Sequence, residues 1–192
     1  MARTPTVTIP LGFRAPDFRL LEPMTGKMIS LNDVSGRSGT VVLFICNHCP
    51  FVVHVRGELI RVANDFRSQG IGFVAISAND VASYPDDSPE LMAELAKSFP
   101  FRYLFDETQE VAKAYTASCT PDINVFNAQM HCVYRGQLDG SRPGNSIPCD
   151  GLDLRAVLSA LVAGCPVPTD QVPSIGCNIK WKPGNEPDYF FR

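Results

Sequence analysis

No unbroken apolar run in this chain of 192 residues approaches the ~18 residues needed to cross a bilayer. The opening MARTPTVTIPLGF carries one early arginine but neither an apolar leader core nor a small-residue cleavage pattern. A membrane partner is therefore not expected, and the expected location is the cytoplasm. Excess positive charge is missing as well: 17 Lys and Arg against 20 Asp and Glu leave a formal net charge of -3, which offers polyanions no general attraction and argues against nucleic acid as a partner. There is no internal repeat and no low-complexity tract. Histidine occurs only 3 times and tryptophan once, so a histidine inside a motif stands out. What is present is ordinary for a globular protein, 45% hydrophobic and 19% charged. The length is enough for one core without covalent staples, and a single domain over 1–192 is expected.

In a reducing compartment the seven cysteines are not expected to form a disulfide framework, and their odd number agrees. The default fate of each is a small buried apolar side chain. Cys132, Cys149 and Cys165 read that way from their place in strand or helix patterns, while Cys177 in the closing segment stays undecided. Cys46 and Cys49 depart from the default because of where they fall.

TVVLFIC (40–46) and IGFVAIS (71–77) are short, β-branched apolar runs, the pattern of parallel strands covered on both faces. Between them Val52, Val55, Leu59, Val62 and Phe66 recur at steps of three and four, which makes one apolar helical stripe. Strand, helix, strand is thus the central unit, with a right-handed crossover. Farther on, Ser88-Pro89 starts a helix with Leu91, Met92 and Leu95 on its apolar side. YLF (103–105) reads as a strand, and an Asp106 to Gln109 capping box opens a helix burying Val111, Ala114 and Tyr115. DINVFN and HCVYRGQL form an antiparallel hairpin, and a last helix runs from about Gly151 to Ala163. Residues 1–39 hold a small hairpin turning at Thr25-Gly26, and 166–192 read as an irregular tail. The expected fold is α/β, a central mixed sheet with helices on both faces, an N-terminal hairpin extension and an irregular C-terminal tail.

The C-x-x-C of FICNHCPFV (44–52) lies on the strand-to-helix turn. Unpaired N–H groups and the positive end of the helix dipole favour thiolate there, so Cys46 is expected to be the ionised nucleophile and Cys49 the resolving thiol. His48 between them would stabilise the thiolate further. Pro50 lacks an N–H, so a helix starting at Cys46 would become regular only after it. The other fates of such a pair are inert core thiols and a zinc half-site, but a structural zinc site wants four ligands and no second C-x-x-C is present. Thr120-Pro121 stands directly before a strand, where a cis bond in a tight entry turn is a candidate feature.

At these residues the chain resembles the thioredoxin superfamily, in which a cis-proline precedes a hairpin strand and faces the C-x-x-C. More widely, RAPDFRLLEPMTGKMISLND, CNHCPFV, AISANDVASYPDDSPELM, YLFDETQEVAKAY, CTPDINVFN, YRGQLDGSRPGN and PSIGCNIKWKPG resemble a redoxin group of the alkyl-hydroperoxide-reductase/thiol-specific-antioxidant, or peroxiredoxin-like, superfamily. The resemblance implies a thioredoxin-like fold and thiol–disulfide oxidoreductase chemistry without an organic cofactor, exchanging with protein or small-molecule thiols and disulfides. It implies that Thr120 and Pro121 support the bound partner, and Cys119 beside them becomes a candidate third thiol. The peroxiredoxin P-x-x-x-[T/S]-x-x-C loop is not reproduced: counted from Cys49, Val42 takes the proline position and Cys46 the hydroxyl position, while Cys46 has Leu43 three residues before it. SCTPDIN also lacks the peroxide-polarising arginine expected near Pro121. Weak peroxidase activity and a copper- or zinc-binding module using Cys46, Cys49 and His48 or Cys119 are the alternatives. His54, His131 and Arg142 have no partner legible in sequence.

Overall fold

The computed structural model describes residues 4–191. Its strands are β1 (Thr4–Pro5), β2 (Arg19–Glu22), β3 (Lys27–Ser30), β4 (Gly39–Phe44), β5 (Ile71–Ser77), β6 (Arg102–Phe105), β7 (Cys119–Thr120), β8 (Asp122–Asn127), β9 (Cys132–Gly136) and β10 (Ile175–Asn178). The helices are α1 (Leu31–Val34), α2 (Pro50–Arg67), α3 (Pro89–Ala96), α4 (Glu110–Ala114) and α5 (Leu152–Ala163), with short 3-10 turns at Pro85–Asp87 and Asp188–Phe191. None of the described helices is long and apolar enough to cross a membrane.

Seven strands form one mixed sheet in the order β3-β2-β6-β5-β4-β8-β9. β4, β5 and β6 run parallel, and β8 joins β4 from the other side in antiparallel register, Val42 opposite Asn124. The expected α/β class and mixed sheet are present. Alternation along β4 explains why both its faces are apolar. Val41 and Leu43 enter a core shared with α2, α3 and α5, while Val42 and Phe44 enter a second core with α1, α4 and Trp181. The whole predicted stripe of α2 (Val52, Val55, Leu59, Val62, Phe66) is buried in the first core, each side chain contributing roughly 1.5–3 kcal/mol by leaving water.

Local details differ from the sequence expectation in instructive ways. α2 begins at Pro50, with Cys49 as its N-cap. Proline therefore opens the helix at a position whose N–H would be unpaired anyway and disrupts nothing. In α3 Met92 is buried but Leu91 is 47% exposed. Gln109, not Asp106, caps α4, and Ala112 and Tyr115 are buried while Ala114 faces out. The buried Asp106 carboxylate instead accepts the Ala112 N–H at 2.8 Å. The N-terminal hairpin is not a separate appendage: β2 pairs with β6 and extends the main sheet.

The C-terminal segment is irregular over most of its length, as expected, but Ile175–Asn178 condenses into β10. It joins a second small sheet, order β1-β10-β7. Its short register gives no periodic signal, because only tertiary partners make it a strand. Beyond it the Lys180 carbonyl accepts from Asp80 N–H at 2.7 Å, and Lys180 N–H donates to Asn79 Oδ1 at 2.8 Å. This segment thereby braces the loop that follows β5.

Candidate active site

The carboxyl end of β4 delivers Cys46, and four residues later α2 starts. In the intervening turn Cys46 is 1% and Cys49 0% exposed, while Asn47 and His48 between them are partly exposed. The turn is held from below by one carboxylate. Asp87 Oδ1 accepts the Asn47 N–H at 2.7 Å and the His48 N–H at 3.4 Å. Its Oδ2 accepts from Asn79 Nδ2 at 2.7 Å and lies 2.7 Å from His48 Nδ1, although that last contact lacks the angle of a hydrogen bond. Asn47 is fixed further by Tyr103, whose hydroxyl donates to Asn47 Oδ1 at 3.1 Å, and by its own Nδ2 donating to the Asp86 carbonyl at 2.9 Å. The His48 ring stacks on Tyr84 with centroids 5.7 Å apart and planes 6° from parallel, and Lys180 Nζ stands 5.6 Å from the centre of the Tyr84 ring.

Sequence reasoning missed Asp87, Asn79, Tyr84 and Tyr103. Asp87 sits in YPDDSPE, which reads as a polar lead-in to α3, and nothing local signals that its side chain is fully buried under a turn about forty residues away. The buried aspartate is satisfied by three donors, which is the condition for keeping a carboxylate there.

The Thr120-Pro121 peptide bond is cis and faces the sulfurs. In its protonated form Cys49 donates from Sγ to the Thr120 carbonyl at 3.1 Å, and Cys46 Sγ lies 3.6 Å from Thr120 Oγ1. Cys46, Cys49, Thr120 and Pro121, separated by over seventy residues in sequence, are thus one site. Pro121 also lines a small cleft with Phe51, Val55, Leu138, Arg142 and Ile175. Arg142 is held there by Gln137 and by the Asp139 carbonyl. Behind the proline, buried Arg135 contacts Asp122 at 3.3 Å and donates to the carbonyls of Tyr115 and Thr116, which anchors the start of β8.

Cys119 does not enter this group. Neighbouring residues of an extended chain face opposite ways, and its thiol meets Thr6 Oγ1 and the Pro121 carbonyl, each at 3.6 Å. Burial pushes it up, with the Asp122 charge adding. Cys132 is likewise buried, its thiol donating to the Tyr134 carbonyl at 3.4 Å, and burial raises it to about 12. Cys165 is exposed, so the structural role expected of it is not a core role. His54 is exposed and shares a hydrogen bond with Ser141 Oγ at 2.7 Å, and His131 is exposed in a bridge to Arg14.

The two sulfurs of the pair titrate together. Cys46 beside it is the main cause lowering Cys49 to about 4 against the penalty of its burial, with Thr120, Cys177 and the Val52 amide adding to the lowering. The same neighbour relation, burial and the Asp87 charge raise Cys46. Sequence reasoning put the depressed thiol on Cys46. The turn places Cys49, not Cys46, at the head of the helix, where its side chain makes no capping hydrogen bond, and its lowering comes first from Cys46, with the Val52 amide a minor contributor. Both sulfurs lie beneath the turn, Cys46 at 1% and Cys49 at 0% exposure.

Residues 11–136 match the AhpC/TSA family. The chain is similar to the crystal structure of an uncharacterized conserved protein from Geobacillus kaustophilus, with 54% identity, TM-score 0.94, and coverage of 96% of this chain and 98% of that one. It is similar to a hypothetical protein from Sinorhizobium meliloti 1021 at 43% identity and TM-score 0.92, covering 94% and 100%. A thiol:disulfide interchange protein of the thioredoxin family from Chlorobium tepidum TLS shares the fold at 15% identity and TM-score 0.60, covering 81% and 99%. No curated protein matches the sequence.

Proposed function

The chain belongs to the AhpC/TSA family, and from that premise we propose that it is a thiol–disulfide oxidoreductase working through Cys46 and Cys49. The carrying observation is that both sulfurs meet the residue before the cis Thr120-Pro121 bond, Cys46 Sγ at its hydroxyl and Cys49 Sγ at its carbonyl. The pair carries one proton at neutral pH, and the negative charge passes to Cys46 when that proton moves to Cys49. Cys46 then attacks a disulfide of the partner, forming a mixed disulfide and expelling one partner thiolate. Cys49, deprotonated again, attacks the Cys46 sulfur. The Cys46–Cys49 disulfide forms, the mixed disulfide breaks, and the second partner thiolate leaves and takes up a proton. A dithiol donor resets the pair by the reverse exchange.

Cys46 is assigned the attack because it directly precedes partly exposed Asn47, whereas Cys49 is fully buried at the N-cap of α2 with its sulfur against the Thr120 carbonyl. Asp87 is a positioning residue: it holds the amides of Asn47 and His48 and so fixes the turn that carries the nucleophile. The edge of β7 at Thr120 is already paired with Cys177 of β10, so Thr120 holds the sulfur pair, and the partner meets the protein at the cleft beside Pro121. The chain carries neither the hydroxyl nor the arginine at their peroxidase-loop sequence positions, which favours disulfide exchange over peroxide reduction. The test is the Cys49→Ser variant: with resolution blocked, a disulfide substrate should stay bound to Cys46 and be found there by mass mapping. Recovery of Cys46 unmodified after exposure to small disulfides and to cell extract would overturn the reading.

A second reading has its own observation. Ligand atoms of Cys46, His48 and Asp87 lie within 4.8 Å of one another, a mixed sulfur, nitrogen and oxygen set suited to zinc. Thiol-dependent zinc at one equivalent in protein purified under reducing conditions would favour it, and metal-free protein with full disulfide exchange would set it aside.

A further inference from the structure

We propose that Cys177 is a third redox thiol that exchanges with the Cys46–Cys49 disulfide through Cys49. The proposal rests on the oxidoreductase reading above. It begins with placement. β10 pairs antiparallel with β7 so that Cys177 is the partner of Thr120, the residue whose carbonyl accepts from Cys49 Sγ at 3.1 Å. The ladder can come this close because residue 176 is glycine. A Cβ there would lie 1.9 Å from the Thr120 carbonyl oxygen, so any other side chain would lift β10 off β7 and carry Cys177 away. Cys46, Cys49 and Cys177 all belong to one packed core, and the Cys177 and Cys49 side chains are neighbours that alter each other's titration. Cys119, one residue from Thr120, has no such contact and meets Thr6 instead. The structure thus separates two thiols near the cis-proline by the face they occupy.

The exchange balances within the protein. Starting from the Cys46–Cys49 disulfide, Cys177 loses its proton and its sulfur attacks Cys49 Sγ. The Cys49–Cys177 bond forms, the Cys46–Cys49 bond breaks, and Cys46 leaves as a thiolate that accepts the proton Cys177 released. No outside oxidant or reductant is consumed. The oxidising equivalent moves into the core and Cys46, the sulfur next to the partly exposed turn, becomes free again while the protein is still oxidised.

The test oxidises folded Cys46→Ser protein with diamide, which takes up the two hydrogens of a dithiol as a disulfide forms, and maps linked peptides after denaturing alkylation. The expected result is a Cys49–Cys177 linkage in most molecules, absent in Cys46→Ser/Cys177→Ser. Cys46→Ala serves equally if the serine variant fails to fold. Cys49 and Cys177 both recovered free or separately modified would overturn the proposal. Wild-type protein treated in parallel keeps the two readings apart. A Cys46–Cys49 linkage there with no Cys49–Cys177 linkage in the variants sinks the three-thiol relay alone, whereas no linkage in wild type sinks the oxidoreductase reading beneath it.

Discussion

Cys49 and Cys119 lie on either side of the same threonine–proline turn, both 0% exposed, yet they have opposite chemistry. Cys119 meets a hydroxyl and a carbonyl, lies near the Asp122 charge, and its thiol is pushed up by burial. Cys49 is equally covered, but Cys46 beside it lowers its thiol and it heads an 18-residue helix. Burial alone silences a thiol. Burial beside a second thiol that titrates with it does the reverse.

The contrast is broken most severely by Cys49→Ser. Turnover of a disulfide substrate should fall to the background of a free small thiol while Cys119→Ser keeps nearly full activity, both read by reduction of a protein disulfide. Next in size is Asp87→Ala. It leaves the Asn47 amide and the Asn79 side chain unpaired, at about 1–3 kcal/mol for each buried group, and urea unfolding should show a loss of roughly 2–5 kcal/mol. Asp87→Asn, which keeps an acceptor, should lose less.

A finer comparison is spectroscopic. Ultraviolet thiolate absorbance of the reduced protein should persist on acidification to about pH 4 and vanish in Cys49→Ser, with Cys132 contributing only as pH approaches about 12. Since Cys49 is lowered in the folded chain, its stabilising contribution is complete above the ordinary thiol range and is lost as pH falls through about 4. The reduced form should therefore lose stability relative to the disulfide form on acidification across that window, measured by paired denaturant titrations. The smallest effect should come from Cys132→Ala, about 1 kcal/mol by thermal unfolding, with thiolate absorbance unchanged. Absorbance that followed Cys132 or Cys119 rather than Cys49 would erase the distinction.

The legible part of the site was the part written in consecutive residues. Cys46, Cys49 and Pro121 announce themselves by spacing and by the strand and helix patterns around them, and the α2 stripe reads off directly because its periodicity is a local property. Asp87 was illegible because its role comes from amides about forty residues away. Pro50 was misread because the sequence does not say whether the helix starts at the first cysteine or after the second. Cys177 was undecided because β10 has too few residues for a period and exists only where β7 receives it.

The sequence by itself determined the sheet's buried strands, the helix laid across them and the two sulfurs at their junction, since period, β-branching and turn residues act within a few residues of chain. Tertiary structure alone decided which sulfur heads the helix, which carboxylate holds the turn, and that the closing segment brings a third thiol to it. Those depend on distances between segments remote in sequence, and hydrogen bonds and charge act over ångströms of space, whatever the number of residues between.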